Sequence, residues 1–307
     1  MKQLPRHRTY TRSFTVAILA TAILISVIYE NAGAQFVDED GQPGNHPVLK
    51  GYVGSAPYLN DYITTDLIIW YLVLTNSDKD KILVNSTYQG IGLDTGGDIF
   101  SRIAKESIMI GDSQIDIKFY GPEGKFNTDP FSRTDSAIIN INDKELQLKY
   151  DGIGNNKGGD DFSRLTRIYT KEGPQKIDLT LLGTARKKGE DYFTRIAEVN
   201  GSMNSDNIRL IYEGIGGTKG GDSFTRIKHI YAENGTIDLQ LQGMGGQKGG
   251  DNFTRITKIQ GRFLDYTVDI SYDGAGLGKG GDDFSRPYQA SGLFTKIKND
   301  DEEKQGK

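Results

Sequence analysis

The string Asp-x-Phe-Ser/Thr-Arg occurs seven times in this chain, and its spacing constrains the fold more than any other feature. Its arginines are Arg102, Arg133, Arg164, Arg195, Arg226, Arg255 and Arg286, separated by 31, 31, 31, 31, 29 and 31 residues. A fixed period of this length indicates one supersecondary unit copied in tandem, each copy burying its apolar face against its neighbours.

Every unit follows one plan. Ile237-Asp-Leu-Gln-Leu-Gln242 alternates apolar and polar side chains, the period-2 pattern of a half-buried strand. The same alternation recurs at Ile115/Ile117/Phe119, Leu146/Leu148/Tyr150, Ile177/Leu179/Leu181, Ile208/Leu210/Tyr212 and Val268/Ile270/Tyr272. A glycine-rich loop follows, Gly243 to Gly250 in the sixth unit, and the repeated string then opens a second strand, Phe253 to Gln260. Polar turns such as Ala232-Glu-Asn-Gly235 close the units, and Asn-Gly is a strong hairpin signal. A finer alternation marks units one, three, five and seven with Tyr-x-Gly-x-Gly, at Tyr88, Tyr150, Tyr212 and Tyr272.

Seven hairpins predict an all-β fold of about 14 antiparallel strands over residues 81–298. Thirty-one residues are few for a four-stranded propeller blade. A round barrel of this size would enclose a lumen wide enough for water, yet each first strand turns Ile and Leu to one side. We therefore expect a flattened barrel or two-layer sandwich, with a β-hairpin solenoid or propeller-like array as the alternative.

Residues 1–34 read as a signal peptide. Arg6, His7, Arg8 and Arg12 precede an apolar run from Phe14 to Tyr29, and Ala32-Gly33-Ala34 supplies a small-x-small cleavage site before Gln35. The alternative is a retained N-terminal membrane anchor, for which this run is shorter than the ~20 residues a span needs. Export places the chain as secreted or at the cell surface. With no cysteine, neither disulfides nor thiolate metal sites are available, so stability must come from packing. Residues 35–50 read as a flexible leader and 299–307 as a charged, disordered tail. Residues 51–80 read as a segment that caps or plugs the repeats. Within it, Leu67 to Leu74 is a run of eight apolar residues expected to form a strand buried on both faces.

After cleavage the chain carries 33 basic and 40 acidic side chains and no basic stripe with interleaved aromatics, so nucleic acid is not an expected partner. No membrane span is expected after signal cleavage. Lys157, Lys219, Lys248 and Lys279 precede a glycine pair, and a strand rather than a helix follows, which departs from phosphate-binding loops. Gly-Gly-Asp invites a calcium reading, but calcium-binding β-roll turns repeat every nine or so residues, not every 31. No cofactor and no metal site is expected.

The repeated acid and base are expected to form structural ion pairs: Asp98 with Arg102, Asp129 with Arg133, Asp160 with Arg164, Asp191 with Arg195, Asp222 with Arg226, Asp251 with Arg255 and Asp282 with Arg286. An aligned set of guanidinium groups is also a possible anion site. Tyr88, Tyr150, Tyr212 and Tyr272 could stack on sugar rings, although their parity places them with the core leucines. Asn85, Asn200, Asn234 and Asn252 open glycosylation sequons. Three histidines, His7, His46 and His229, exclude a histidine cluster for zinc and leave His229 as the one candidate triad base. None of the acids stands out from its repeat as half of a catalytic pair.

Seven similar loops make a multivalent surface, whereas an active site needs one unique place. The sequence thus points to a non-enzymatic extracellular or cell-surface binding or structural protein, with a glycan or surface polymer as partner. The alternative is a secreted carbohydrate-active hydrolase using paired carboxylates. N-terminal sequencing of the mature protein should begin at Gln35; a membrane-bound form that begins at Met1 would replace cleavage with anchoring.

Overall fold

A computed structural model describes residues 61–91, 101–122, 124, 126, 132–154, 159, 163–184, 194–216, 221, 225–243, 254–276 and 285–298. The repeats form fourteen antiparallel strands. They are β1 (Lys81–Gly90), β2 (Ile103–Ile110), β3 (Ser113–Tyr120), β4 (Ser136–Ile141), β5 (Lys144–Gly152), β6 (Leu165–Thr170) and β7 (Ile177–Gly183). The remainder are β8 (Ile196–Met203), β9 (Asp206–Gly214), β10 (Ile227–Tyr231), β11 (Ile237–Gly243), β12 (Ile256–Phe263), β13 (Tyr266–Gly274) and β14 (Pro287–Lys296). Each strand pairs with the next in sequence, and β14 returns to pair with β1 from Lys81↔Thr295 to Thr87↔Gln289. The hairpin array is therefore a closed barrel and leaves no open sheet edge.

Alternation along each strand sets the barrel's two faces. In β1 it runs without a break from exposed Lys81 to buried Gly90, and Ile82, Val84, Ser86 and Tyr88 point inward. Lys81, Leu83, Asn85, Thr87 and Gln89 point outward, as do Thr267, Asp269, Ser271 and Asp273 of β13, so that Leu83 is the one apolar side chain on the outer side of these two strands. This apolar-in, polar-out order is the reverse of the pattern on barrels that face lipid. Tight turns close one rim. Between β4 and β5, Asn142 and Asp143 both take positive φ (46° and 66°), the geometry of a two-residue turn that matches strand twist.

The lumen is filled by the chain itself. Residues expected as a buried strand, Leu67 to Leu74, instead form the second half of a helix, α1 (Asp61–Leu74). The closed sheet explains the difference. All fourteen strands are paired on both sides, so a further strand inside would find no backbone partners. A helix satisfies its own amides and carbonyls. Tyr62 through Leu72 and Leu74 are buried, and from Leu67 onward the helix is apolar on every side, as expected of a segment enclosed all round. Trp70 packs edge-on against Phe263 of β12 and Phe294 of β14 (centroids 5.7 and 5.2 Å), and the Tyr71 hydroxyl donates to Met203 O and to Asp206. Thr75 and Asn76 cap the last helical carbonyls through Tyr71 O and Leu72 O. Burying Leu67, Ile68, Ile69, Trp70, Leu72 and Leu74 contributes on the order of 10 kcal/mol, so this half of the helix is firmly anchored.

The repeated arginines lock each unit to the next. Each Nη1 donates to the carbonyl of the following residue and to a carbonyl near the end of the next unit's first strand. The second set of acceptors is Phe119, Tyr150, Leu181, Tyr212, Leu241, Tyr272 and, across the closure, Tyr88, at 2.7–3.2 Å. Six of the seven are buried and Arg255 is partly so. A register shift in the neighbouring strand, as at Gln242/Gly243, accompanies this contact, and the glycine beyond it provides the room. A Cβ on Gly243 would overlap the Arg226 guanidinium. The aspartates expected as partners, Asp98, Asp129, Asp160, Asp191, Asp222, Asp251 and Asp282, lie outside the described residues.

Arg226→Met removes two charge-assisted hydrogen bonds and should cost about 3 kcal/mol of unfolding free energy. Gly243→Ala should also destabilise. Because the alanine clashes with the arginine itself, the double variant should fall short of the additive sum by about 1 kcal/mol or more in denaturant titrations. Strict additivity would disprove the contact.

Candidate functional site

Sevenfold repetition is broken at one place inside the barrel. Four residues after the repeated arginine, the second strand of each unit turns a small or apolar side chain inward: Ala137, Ile168, Val199, Ile230, Ile259 and Ala290. In the first unit that position is Glu106, wholly buried on β2. Facing it from α1 is Asp66, 2% exposed. The sequence signal for this pair is plain once units are aligned on the arginine. Glu106 is the acid that stands out from its repeat, contrary to the expectation that none does, and Asp66 lies in the 51–80 capping segment, one residue before the run expected as a strand.

The tyrosines of the odd-numbered units build the surroundings. Tyr88, Tyr150, Tyr212 and Tyr272 are all buried and direct their rings at the polar half of α1. Tyr150 Oη lies 2.9 Å from Thr65 Oγ1 and Tyr212 Oη 3.4 Å from Thr64 Oγ1, while Tyr88 donates to Asp66 Oδ2 at 3.3 Å. The core placement expected from parity explains their positions, and their burial keeps them from stacking on an external sugar. An odd number of units cannot alternate evenly around a closed ring. Units seven and one, both of the tyrosine type, therefore meet at the closure. Tyr88 and Tyr272 lie 6.5 Å apart there, and Tyr62 of α1 packs against both at 5.8 and 6.3 Å. Tyr88 is the register partner of Glu106, where Tyr150 faces Ile168, Tyr212 faces Ile230 and Tyr272 faces Ala290.

Burial dominates the electrostatics. It pushes the Asp66 carboxyl up to about 7, against the smaller opposing pull of Glu106, Tyr88 and Tyr272 as hydrogen-bonding neighbours. Burial, reinforced by the charge of Asp66, raises Glu106 well above the usual carboxylate range. Burial and these acids likewise hold the hydroxyls of Tyr62, Tyr88 and Tyr272 in their neutral forms. Glu106 has Asp66, Tyr88 and Ser86 as its nearest polar neighbours. Neither of its oxygens, nor Asp66 Oδ1, meets a partner at good hydrogen-bonding geometry. Two carboxyls so placed cannot both ionise cheaply. The arrangement stores protons inside an apolar lumen.

The other predicted positions are scattered. His229 lies on the outer wall, with Nε2 at 2.8 Å from Asp238 and Nδ1 at 3.5 Å from Glu213, and stacks on Tyr231 at 4.7 Å. Its ring nitrogens thus face carboxylates rather than a nucleophile. Asn85 is exposed on β1, Asn200 is partly exposed on β8, and Asn234 sits in an exposed turn where its Oδ1 accepts from the Thr236 amide and hydroxyl. Asn252 and the loop lysines Lys157, Lys219, Lys248 and Lys279 lie outside the described residues, while Gly159 and Gly221 of two of those loops accept from Arg133 and Arg195 Nη2 at 3.5 Å. Among the described residues no group of three or more metal-ligating side chains comes together.

No protein-family model matches this chain, and searches of curated proteins and of solved structures return no match.

Between about pH 4, where free carboxyls titrate, and pH 7 and above, the folded protein retains protons that the unfolded chain has lost. This pair therefore lowers stability as pH rises. The doubly neutral variant Asp66→Asn/Glu106→Gln removes that linkage. Its stability advantage over wild type should widen by about 4 kcal/mol or more from about pH 4 to about pH 8 in urea titrations. A difference that stays constant across this range would place the carboxyls in an ordinary solvated setting.

Proposed function

We propose that this is a non-enzymatic binding or structural protein, exported to the cell surface or beyond, that presents its repeats to a glycan or other surface polymer. The observation that carries this reading is where the unique and the repeated parts lie. Among the described residues, the place inside the barrel that breaks the repeat, around Asp66 and Glu106, is enclosed by the barrel wall and α1, both carboxyls being no more than 2% exposed. The repeated strand ends marked by the arginines all lie on one rim, since every connection from an odd to an even strand leaves from that side. A plugged, arginine-locked barrel suits a rigid platform better than a catalyst, which needs its reactive groups open to substrate. Repeated rim elements favour avidity, where several weak contacts act on one polymer.

The paired-carboxylate hydrolase remains the second reading, because Asp66 and Glu106 are two carboxyls with different surroundings at one locus. A single experiment separates the two. Residues 35–307 and their Glu106→Gln variant are applied to polysaccharide and cell-wall panels, scoring retention and release of reducing ends. Equal retention of both proteins without reducing-end release is expected. Release that disappears in Glu106→Gln would establish the hydrolase, and retention on no polymer would remove the glycan reading.

A further inference from the structure

The helix in the lumen has two unlike halves. From Leu67 onward it is apolar and wedged against Phe263 and Phe294 through Trp70. Its first half carries Thr64, Thr65 and Asp66, which meet wall tyrosine hydroxyls at 2.9–3.4 Å, with Asp66 also beside Glu106, while Tyr62 packs on Tyr88 and Tyr272. Two of those contacts are long for hydroxyl hydrogen bonds, at 3.3 and 3.4 Å. At the repeat-breaking position the plug sets Asp66 beside Glu106, with Tyr88, the register partner of Glu106, donating to Asp66 Oδ2 and the remaining carboxyl oxygens unpartnered.

We propose that the Asp66–Glu106 contact is a proton-operated latch, which holds the first half of α1 against the barrel wall when protonated and lets that half detach when ionised. The groups facing the pair define its response. Asp66 is met by Glu106 from β2, Tyr88 from β1, Tyr272 from β13 and Tyr62 from its own helix. Glu106 is met by Asp66, Tyr88 and Ser86. The tyrosines stay neutral, so none supplies a countercharge. The guanidinium groups closest in the fold, Arg286 and Arg255, donate to the main-chain carbonyls of Tyr88 and Tyr272. Loss of the first proton thus leaves an uncompensated charge in an apolar enclosure, loss of the second sets like charges facing each other, and separation of helix from wall relieves both. The apolar half remains anchored: Trp70 packs on Phe263 and Phe294, and the Tyr71 hydroxyl, which burial and Asp206 push up to about 12, stays neutral throughout this range.

Hydrogen exchange followed by mass spectrometry, corrected for intrinsic rates, tests the latch in the full mature chain. From about pH 6 to about pH 9, protection of peptides covering residues 61–67 should fall steadily, by about tenfold per pH unit for each proton that opening releases, and so by up to about a hundredfold per unit where both carboxyls lose theirs. Peptides covering residues 70–74 and the emission of Trp70 should not change. Asp66→Asn/Glu106→Gln should flatten the first response. Glu106→Ala, which places here the residue found at 137 and 290, should flatten it too and serves as a second variant if the first folds poorly. The latch is wrong if protection over 61–67 is independent of pH in wild type, if the pH response survives both variants, or if the whole helix responds together.

Discussion

Closure of the sheet on itself is the constraint from which the rest follows. Fourteen strands joined only to their sequence neighbours would leave two edges, and pairing β1 with β14 satisfies both at once. That closure makes a lumen too wide for wall side chains alone to fill, and the alternation of each strand makes it apolar. An apolar space of that size in water is filled or it collapses. Here it is filled by a segment that lies just before the first strand, so that one covalent chain supplies both wall and core.

Closure also explains the form of the plug and the strictness of the repeated string. With every strand paired on both sides, a segment within the lumen must satisfy its own backbone, and only a helix does so. At the rim, the register shifts beside the glycines, present at six of the seven hairpin pairings, leave wall carbonyls that the arginine of the preceding unit meets. The interaction is charge-assisted, largely buried and identical in kind at each junction, the final one included, where Arg286 reaches back to Tyr88. A unit that lost its arginine would weaken a joint of the ring rather than a ligand site.

The odd number of units has a further consequence. Tyrosine-bearing and tyrosine-free units alternate until the ring closes, where two of the same kind meet. Tyr88 and Tyr272 crowd one sector of the lumen, and the wall beside them carries Glu106 in place of an apolar side chain. The helix answers with Asp66. A symmetric barrel thereby acquires one polar locus, whose electrostatics differ from every other part of the core because two carboxyls share a space that disfavours charge.

Much of this was legible in the residues themselves. Period-2 alternation depends only on which side chains tolerate burial, and the interval between arginines depends only on counting, so hairpins, strand number and the inward parity of Tyr150 and Tyr212 follow from sequence alone. Glu106 was legible too, had the units been aligned on Arg102 and its equivalents. Three things were decided by tertiary structure. Leu67 to Leu74 is apolar at every position, a pattern compatible with a buried strand or a buried helix, and the absence of free strand partners inside a closed barrel selects the helix. The arginine's acceptors belong to another unit, brought within 3.2 Å only by sheet closure and register. Asp66 and Glu106 are separated by forty residues and become a pair because the helix runs through the barrel and places one against the other. Sequence determines what each residue can tolerate locally; which distant group it must meet is settled only when the chain closes around itself.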